Sequence, residues 1–206
     1  MATDFKQSET MKNLMRAFAG ESQARNRYTF AASQAHQQGL YVIEQIFTLT
    51  ADQEKEHAEV FYNQLQEMAG ETIEIDGGYP VDLSPNIADL LKMAQHNEYE
   101  EHDDVYKHFG DVAKEEGFGK AAARFQMIAE IEKLHGDRFG AFAKLLEDNQ
   151  LFVSKIETKW MCLNCGYIYE GTEVPNQCPV CEHERGWFVR MELAPFCRDG
   201  NYEKMN

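Results

Sequence analysis

Residues 47–61 read FTLTADQEKEHAEVF and residues 125–139 read FQMIAEIEKLHGDRF, and a shift of 78 lays the second stretch on the first. The shift pairs Phe125 with Phe47, Ala129 with Ala51, Glu132 with Glu54, Lys133 with Lys55, His135 with His57 and Phe139 with Phe61. Further out it pairs Tyr106 with Tyr28 and Gly117 with Gly39. Gly and Phe matches alone arise by chance among helical sequences. A Glu-x-x-His in register with them makes chance the weaker explanation, and the chain reads as a repeated helical pair closing into a pseudo-symmetric bundle.

From Lys6 to Leu146 the residues are mostly strong helix formers with apolar positions at helical spacing. Breaks fall at Gly39, from Gly70 through Pro85, at Gly117–Gly119 and after Glu147. This predicts four helices of roughly 20–30 residues in two pairs. Thr72–Asp82, with β-branched residues, Gly77, Gly78 and Pro80, is expected to be an extended connection between the pairs. Ser84 then offers an N-cap and Pro85 a first helical residue. After residue 155 the helical period stops and Cys, Gly, Pro and aromatics cluster. The expected division is a bundle over 1–150 and a small domain over 156–206, too short to stand on a core alone without a metal.

Glu54 and His57, like Glu132 and His135, are three residues apart, so each pair projects from one helix face, one turn apart. A di-metal site of this type also needs a Glu from each remaining helix. On the first helix Glu21 is the candidate, because it lies in Ala17-Phe-Ala-Gly-Glu21, where a free carboxylate is costly; Glu9 fits a surface position better. On the third helix Glu98 and Glu101 share a face, with Glu100 pointing away and His102 near enough to be a ligand or a neighbour of one. Here the shift of 78 maps Glu21 onto Tyr99, so the repeat slips by one residue. Tyr28 and Tyr106 either place hydroxyls beside the cluster or are ordinary core tyrosines. Carboxylates with few imidazoles suit cations that change oxidation state, iron or manganese.

Cys162, Cys165, Cys178 and Cys181 give Cys-x2-Cys-x12-Cys-x2-Cys, two knuckles able to close on one tetrahedral metal, zinc or iron. Trp160, Tyr167, Tyr169, Trp187 and Phe188 would form a water-excluding shell that tilts the choice toward iron, and Gly166 lets the backbone turn its amides toward sulfur. Cys197 reads as a spare thiol.

Twenty basic against thirty-five acidic residues leave a net charge of −15, which argues against nucleic acid as a partner. No secretory pattern opens the chain and no apolar run reaches the roughly 18 residues of a membrane helix. Paired cysteines of metal-ligand spacing then point to a reducing, cytoplasmic setting.

With Glu21, Glu54-x-x-His57, Glu98-x-x-Glu101, Glu132-x-x-His135 and the Trp160-x-Cys162-x-x-Cys165-Gly-Tyr-Ile-Tyr segment in place, the sequence resembles the rubrerythrin family over essentially its whole length. The resemblance implies a mainly α fold, a ferritin-like four-helix bundle followed by a small rubredoxin-like metal-binding β domain. It implies a di-iron centre that reduces hydrogen peroxide to water in oxidative-stress protection. It also implies a mononuclear iron on the four cysteines that relays electrons from an external donor such as rubredoxin or an NAD(P)H-dependent reductase. Family members are usually homodimers in which one subunit's cysteine iron lies near the other's di-iron site, and the counterparts of His57 and Glu101 exchange on one iron with redox state. The alternative is a ferritin-like ferroxidase or iron-buffering protein. Two departures from the family stand out: Glu182 where Gly usually follows the last cysteine, and the tail Trp187–Asn206.

Overall fold

The computed structural model describes residues 3–195, and Cys197 lies outside them. Helices α1 (Glu9–Gln37) and α2 (Tyr41–Tyr62) form one hairpin; α3 (Ile87–Glu100), α4 (Tyr106–Glu116) and α5 (Gly119–Glu147) form the other. α1 packs along α2, and α3 and α4 pack along α5. None of these helices is long and apolar enough to cross a membrane.

The repeat governs the hairpin ends as well as their faces. Gly39 (φ 69°) and Gly117 (φ 93°) take the left-handed conformation that ends a helix. The next residue in each hairpin then donates its amide to an equivalent carbonyl: Leu40 to Ala35 at 3.0 Å, Phe118 to Ala113 at 2.7 Å. At the start of α1, Ser8 Oγ accepts from Met11 N at 3.0 Å, and Glu116 reaches over to accept the Glu9 and Thr10 amides at 3.0 and 2.8 Å. Residues 72–84 have no regular structure, as the β-branched and Gly-rich sequence predicts. The cap after them differs from expectation. Asn86, not Ser84, accepts from Ala88 N at 2.9 Å and the helix starts at Ile87, while Ser84 Oγ takes the Asn86 amide at 3.1 Å. Asn86 directly precedes the first helical residue, so its Oδ1 lies within reach of the free Ala88 amide, whereas Ser84 is two residues further back.

α3 and α4 are one helix interrupted by a π segment, Glu101–Val105. A π turn closes over i to i+5, so it takes up one extra residue. This explains the slip: Glu21 and Glu98 are 77 apart, before the π segment, whereas Tyr28 and Tyr106 are 78 apart, after it.

The bundle interior is two apolar clusters, one around Tyr28, Phe47, Leu91 and Phe139, the other around Leu14, Phe61, Tyr106 and Phe125. Each holds an aromatic triad. Tyr28 lies 6.0 Å from Phe47 and 5.1 Å from Phe139; Tyr106 lies 5.4 Å from Phe61 and 5.9 Å from Phe125. The triads are exchanged by the repeat. Burying each such side chain contributes about 1.5–3 kcal/mol, and between the two apolar layers lies a polar one.

The C-terminal unit is a three-stranded antiparallel sheet in the order β2-β1-β3: β1 (Val153–Cys162), β2 (Ile168–Glu173) and β3 (Phe188–Arg190). Trp160 is fully buried at its centre, its Nε1 donating to Gly171 O at 3.0 Å. This unit rests on the turn between α1 and α2. Gly186 backs onto the Gly39 carbonyl so closely that a Cβ would lie 1.8 Å from its oxygen, and Trp187 stacks on Tyr41 with centroids 5.0 Å apart. Val189 joins the apolar cluster of Tyr28 and Phe47.

Candidate metal centres

Glu21 from α1, Glu54 and His57 from α2, Glu98 from α3, and Glu132 and His135 from α5 are all buried in the polar layer. Their donor atoms form two groups, each within 4.8 Å: Glu21, Glu54, His57 and Glu132, and Glu54, Glu98, Glu132 and His135. Glu54 and Glu132 belong to both. His57 Nδ1 lies 3.1 Å from Glu54 and 2.9 Å from Glu132; His135 Nδ1 lies 2.9 Å from each of them. Separations of about 3 Å suit neighbouring donors around one ion bound at about 2.1 Å.

Hydrogen bonding does not account for this convergence. Glu21 Oε2, Glu54 Oε1, both oxygens of Glu132 and both nitrogens of His135 are buried without a hydrogen-bond partner. Buried polar atoms in native proteins are almost always paired, so orphans aimed at a common space mark a place for cations. The electrostatics agree. Burial, reinforced by neighbouring carboxylates, holds Glu21 and Glu101 well above the usual carboxyl range. Burial and Glu54 push Glu98 up to about 8. Burial would also raise Glu54, but His135 and His57 outweigh it and bring it down to about 2. For the imidazoles burial acts to lower the pKa, and Glu132 and Glu54 reverse it, raising His57 to about 9 and His135 to about 12. Without metal the site must load protons to tolerate its own charge.

Tyr28 and Tyr106 reach the layer from opposite apolar clusters. Tyr28 donates its hydroxyl to Glu98 and Tyr106 donates to Glu21, a crossed pair obeying the repeat. Burial, then neighbouring carboxylates, push both phenols well above their usual value, so they remain donors. Glu101 stands apart from the two groups of donors. It is half-buried in the π segment and lines a cleft of about 710 Å³ with Ala17, Gly20, Tyr79, Asn97 and Tyr106. His102 is not brought to the layer: it turns outward to Asp103 at 2.7 Å, because the π turn rotates it away from Glu98. Glu100 is exposed and Glu9 pairs with Arg16, as expected of surface acids.

Arg27, Asp82, Asn97 and Arg138 surround the layer without having been singled out in the sequence. Asp82, from the connection between hairpins, accepts from Arg27 and from Asn97 Nδ2 at 2.7 Å. A lone Arg or Asp on a helix or loop reads as surface. The available signal for Arg138 was that, one turn beyond the histidine of its pair, it puts a cation where the first hairpin has the apolar Val60.

The four cysteines are free and gathered at one end of the sheet. Cys162 and Cys181 sulfurs are 3.8 Å apart, and those of Cys165 and Cys178 are 3.7 Å apart. This is the edge of a tetrahedron about a metal at roughly 2.3 Å and far from a disulfide at about 2.05 Å. Two matched knuckles build it. Gly166 N donates to Cys162 O at 2.8 Å and Glu182 N to Cys178 O at 2.9 Å, while Cys162 N donates to Tyr167 O and Cys178 N to His183 O, both at 2.8 Å. Gly166 takes φ 77°, and Glu182 takes φ 61° where a side chain is strained. The aromatic shell is one-sided: Trp160 and Phe188 are fully buried, Tyr167, Tyr169 and Trp187 partly so, and Cys165 is exposed.

Residues 12–143 match the family model for rubrerythrin and residues 160–189 match that for the rubrerythrin rubredoxin-like domain. The chain is 45% identical to the rubrerythrin of Clostridium perfringens over 89% of its own length and 94% of that protein's. It is 40% identical to the rubrerythrin of Nitratidesulfovibrio vulgaris over 89% and 94%. Among solved structures, partially reduced nigerythrin aligns with TM-score 0.60 and 29% identity, covering 92% of this chain and 94% of that one. A bacterioferritin from Desulfovibrio desulfuricans, 22% identical, shares the bundle fold with TM-score 0.61, over 69% of this chain and 82% of its own. The fold is thus a ferritin-like bundle with a rubredoxin-like unit, its cofactors are a di-iron centre and a mononuclear four-cysteine iron, and the chain belongs to the rubrerythrin family.

Proposed function

We propose that this di-iron oxidative-stress protein is a peroxidase, in which hydrogen peroxide, two protons and two electrons give two waters. The observation that carries the reading is the pair of donor groups sharing Glu54 and Glu132, joined in one chain to a four-cysteine cluster. Glu21 and His57 would hold one ion, Glu98 and His135 the other, and Glu54 and Glu132 would serve both; Glu101 is a further carboxylate on the Glu21 side. Cys162, Cys165, Cys178 and Cys181 would hold the mononuclear iron, and 1–150 and 156–206 are the two working units. When bound, the di-iron centre supplies one electron from each ion and Lewis acidity toward the peroxide oxygens.

The protein's own groups do the rest. The cleft past Asn97, Glu101 and Tyr106 admits a small polar substrate, while the two aromatic triads keep bulk water from the other faces. Tyr28 and Tyr106 each fix one carboxylate by hydrogen bonding and hold a proton at the phenol oxygen next to it. Exposed Cys165 gives an external donor, rubredoxin or an NAD(P)H-dependent reductase, a short path to the cysteine iron. A homodimer in the cytoplasm completes the reading.

Anaerobic mixing of the fully reduced, iron-loaded protein with peroxide tests it. Rapid oxidation of both centres with two electrons consumed per peroxide is expected; if neither centre oxidises, the reading fails. The bundle shared with a bacterioferritin supports one rival, iron oxidation with storage. Storage requires a large hollow shell, so the mass in solution separates the two.

A further inference from the structure

The two halves of the site differ in the charges placed beside them. Val60 on α2 and Arg138 on α5 are equivalent in the repeat, each three residues beyond the histidine of its pair. Arg138 is half-buried, and its Nη1 donates to Thr50 Oγ1 at 3.0 Å and Gln53 Oε1 at 3.2 Å, both within about a turn of Glu54. Both partners are neutral. Burial lowers the Arg138 pKa, and the carboxylates acting against that are Glu98 and Glu54 of the centre itself. On the other side the π segment brings Glu101 into the cleft beside Ala17, Gly20 and Tyr106, which flank Glu21. One donor group thus has a guanidinium beside it, and the other has an extra carboxylate.

We propose that Arg138 is a positioning residue that makes the two iron sites electrically unequal, its guanidinium favouring the ferrous state on the Glu98–His135 side so that the first electron leaves from the Glu21–His57 side. The inference rests on the ligand assignment proposed above. A fixed positive charge in a half-buried, incompletely screened place opposes the ferric ion more than the ferrous one. Thr50 and Gln53 hold it still, so its effect falls on one ion and not evenly on both. The half-oxidised pair is then the favoured product of mixing fully reduced with fully oxidised centres.

Anaerobic redox titration of the iron-loaded full chain, following the mixed-valence signal by electron paramagnetic resonance, reads this directly. Arg138→Gln is expected to lower the comproportionation constant about tenfold, bringing the two one-electron potentials closer by about 59 mV. Arg138→Lys keeps the charge and should stay near the wild-type separation. Val60→Arg puts a cation at the mirrored position and should also narrow the gap, and it decides the matter if Arg138→Gln fails to load two irons. A separation unchanged in Arg138→Gln with both irons bound, or unchanged in Val60→Arg, overturns the proposal. No peroxide enters the titration, so a chain that does not reduce peroxide leaves the result readable.

Discussion

Replacing Gly186 by Ala should unseat the cysteine unit from the bundle. The added Cβ would lie 1.8 Å from the Gly39 carbonyl oxygen and 3.0 Å from Tyr41 Cδ2, and Gly39 O is backbone at a helix turn that cannot swing aside. Relief requires the two surfaces to separate by more than about 1 Å, enough to forfeit much of the dispersion attraction across them. The losses are the Trp187–Tyr41 stack, the Tyr41–Glu184 hydrogen bond at 3.2 Å and part of the Val189 burial. Together these amount to about 2–4 kcal/mol. For a chain of this size that lowers Tm by roughly 4–16 °C if the units unfold together. Both tryptophans, Trp160 and Trp187, lie in the cysteine unit. Their fluorescence therefore follows that unit while circular dichroism at the helix band follows the bundle. The wild type should show coincident transitions; Gly186→Ala should split them and shift Trp187 emission to the red. Coincident transitions at an unchanged Tm, with unchanged emission, would falsify this account of how the units are joined.

Glu54→Ala removes a carboxylate shared by both donor groups and should bring bundle iron from two toward none, whereas Glu98→Ala should leave one; metal analysis against protein concentration checks both. At Glu116 burial works to raise the carboxyl pKa, but the Thr10 hydroxyl and the amides of Glu9 and Thr10 outweigh it and hold it low. Its contribution is therefore complete above the unfolded carboxyl value near 4.3 and is lost as pH falls through the lower folded value. Glu116→Gln should cost about 1 kcal/mol at neutral pH. Stability curves against pH for variant and wild type should converge in acid, and a constant gap would contradict the assignment. Glu182→Gly relieves a left-handed non-glycine residue and should stabilise the metal-loaded cysteine unit by about 1 kcal/mol, seen as a higher Tm; no gain would mean the knuckle is not strained there.

Most of the bundle was legible because the repeat and the helical period reinforce each other: Phe47, Phe61, Phe125 and Phe139 announce the core, and Glu54, His57, Glu132 and His135 the layer inside it. Glu98 and Glu101 were harder. A one-residue slip is visible in the sequence, but that it is absorbed as a π turn is a property of backbone hydrogen bonding, and it sends His102 to the surface and Glu101 into a cleft. The Asn86 cap escaped because Ser-Pro-Asn offers two residues fit to cap one helix. Arg27, Asp82 and Arg138 escaped because a charged side chain gives no sign in sequence of which neighbour it will face across the bundle. In the cysteine unit the convergence of the four sulfurs was plain from spacing, while the exposure of Cys165 depended on how the sheet covers only one side.

Neither hairpin contains a whole donor set: the group with Glu21 and His57 needs Glu132 from the second hairpin, and the group with Glu98 and His135 needs Glu54 from the first. The arrangement is that of a two-fold dimer whose subunits have been tied end to end by residues 69–86. An untied dimer of identical hairpins would be bound by its symmetry, because any substitution would appear on both sides of the axis at once. Joining the copies removes that restriction. An extra residue in one helix and an arginine opposite a valine are asymmetries that only a fused chain can hold.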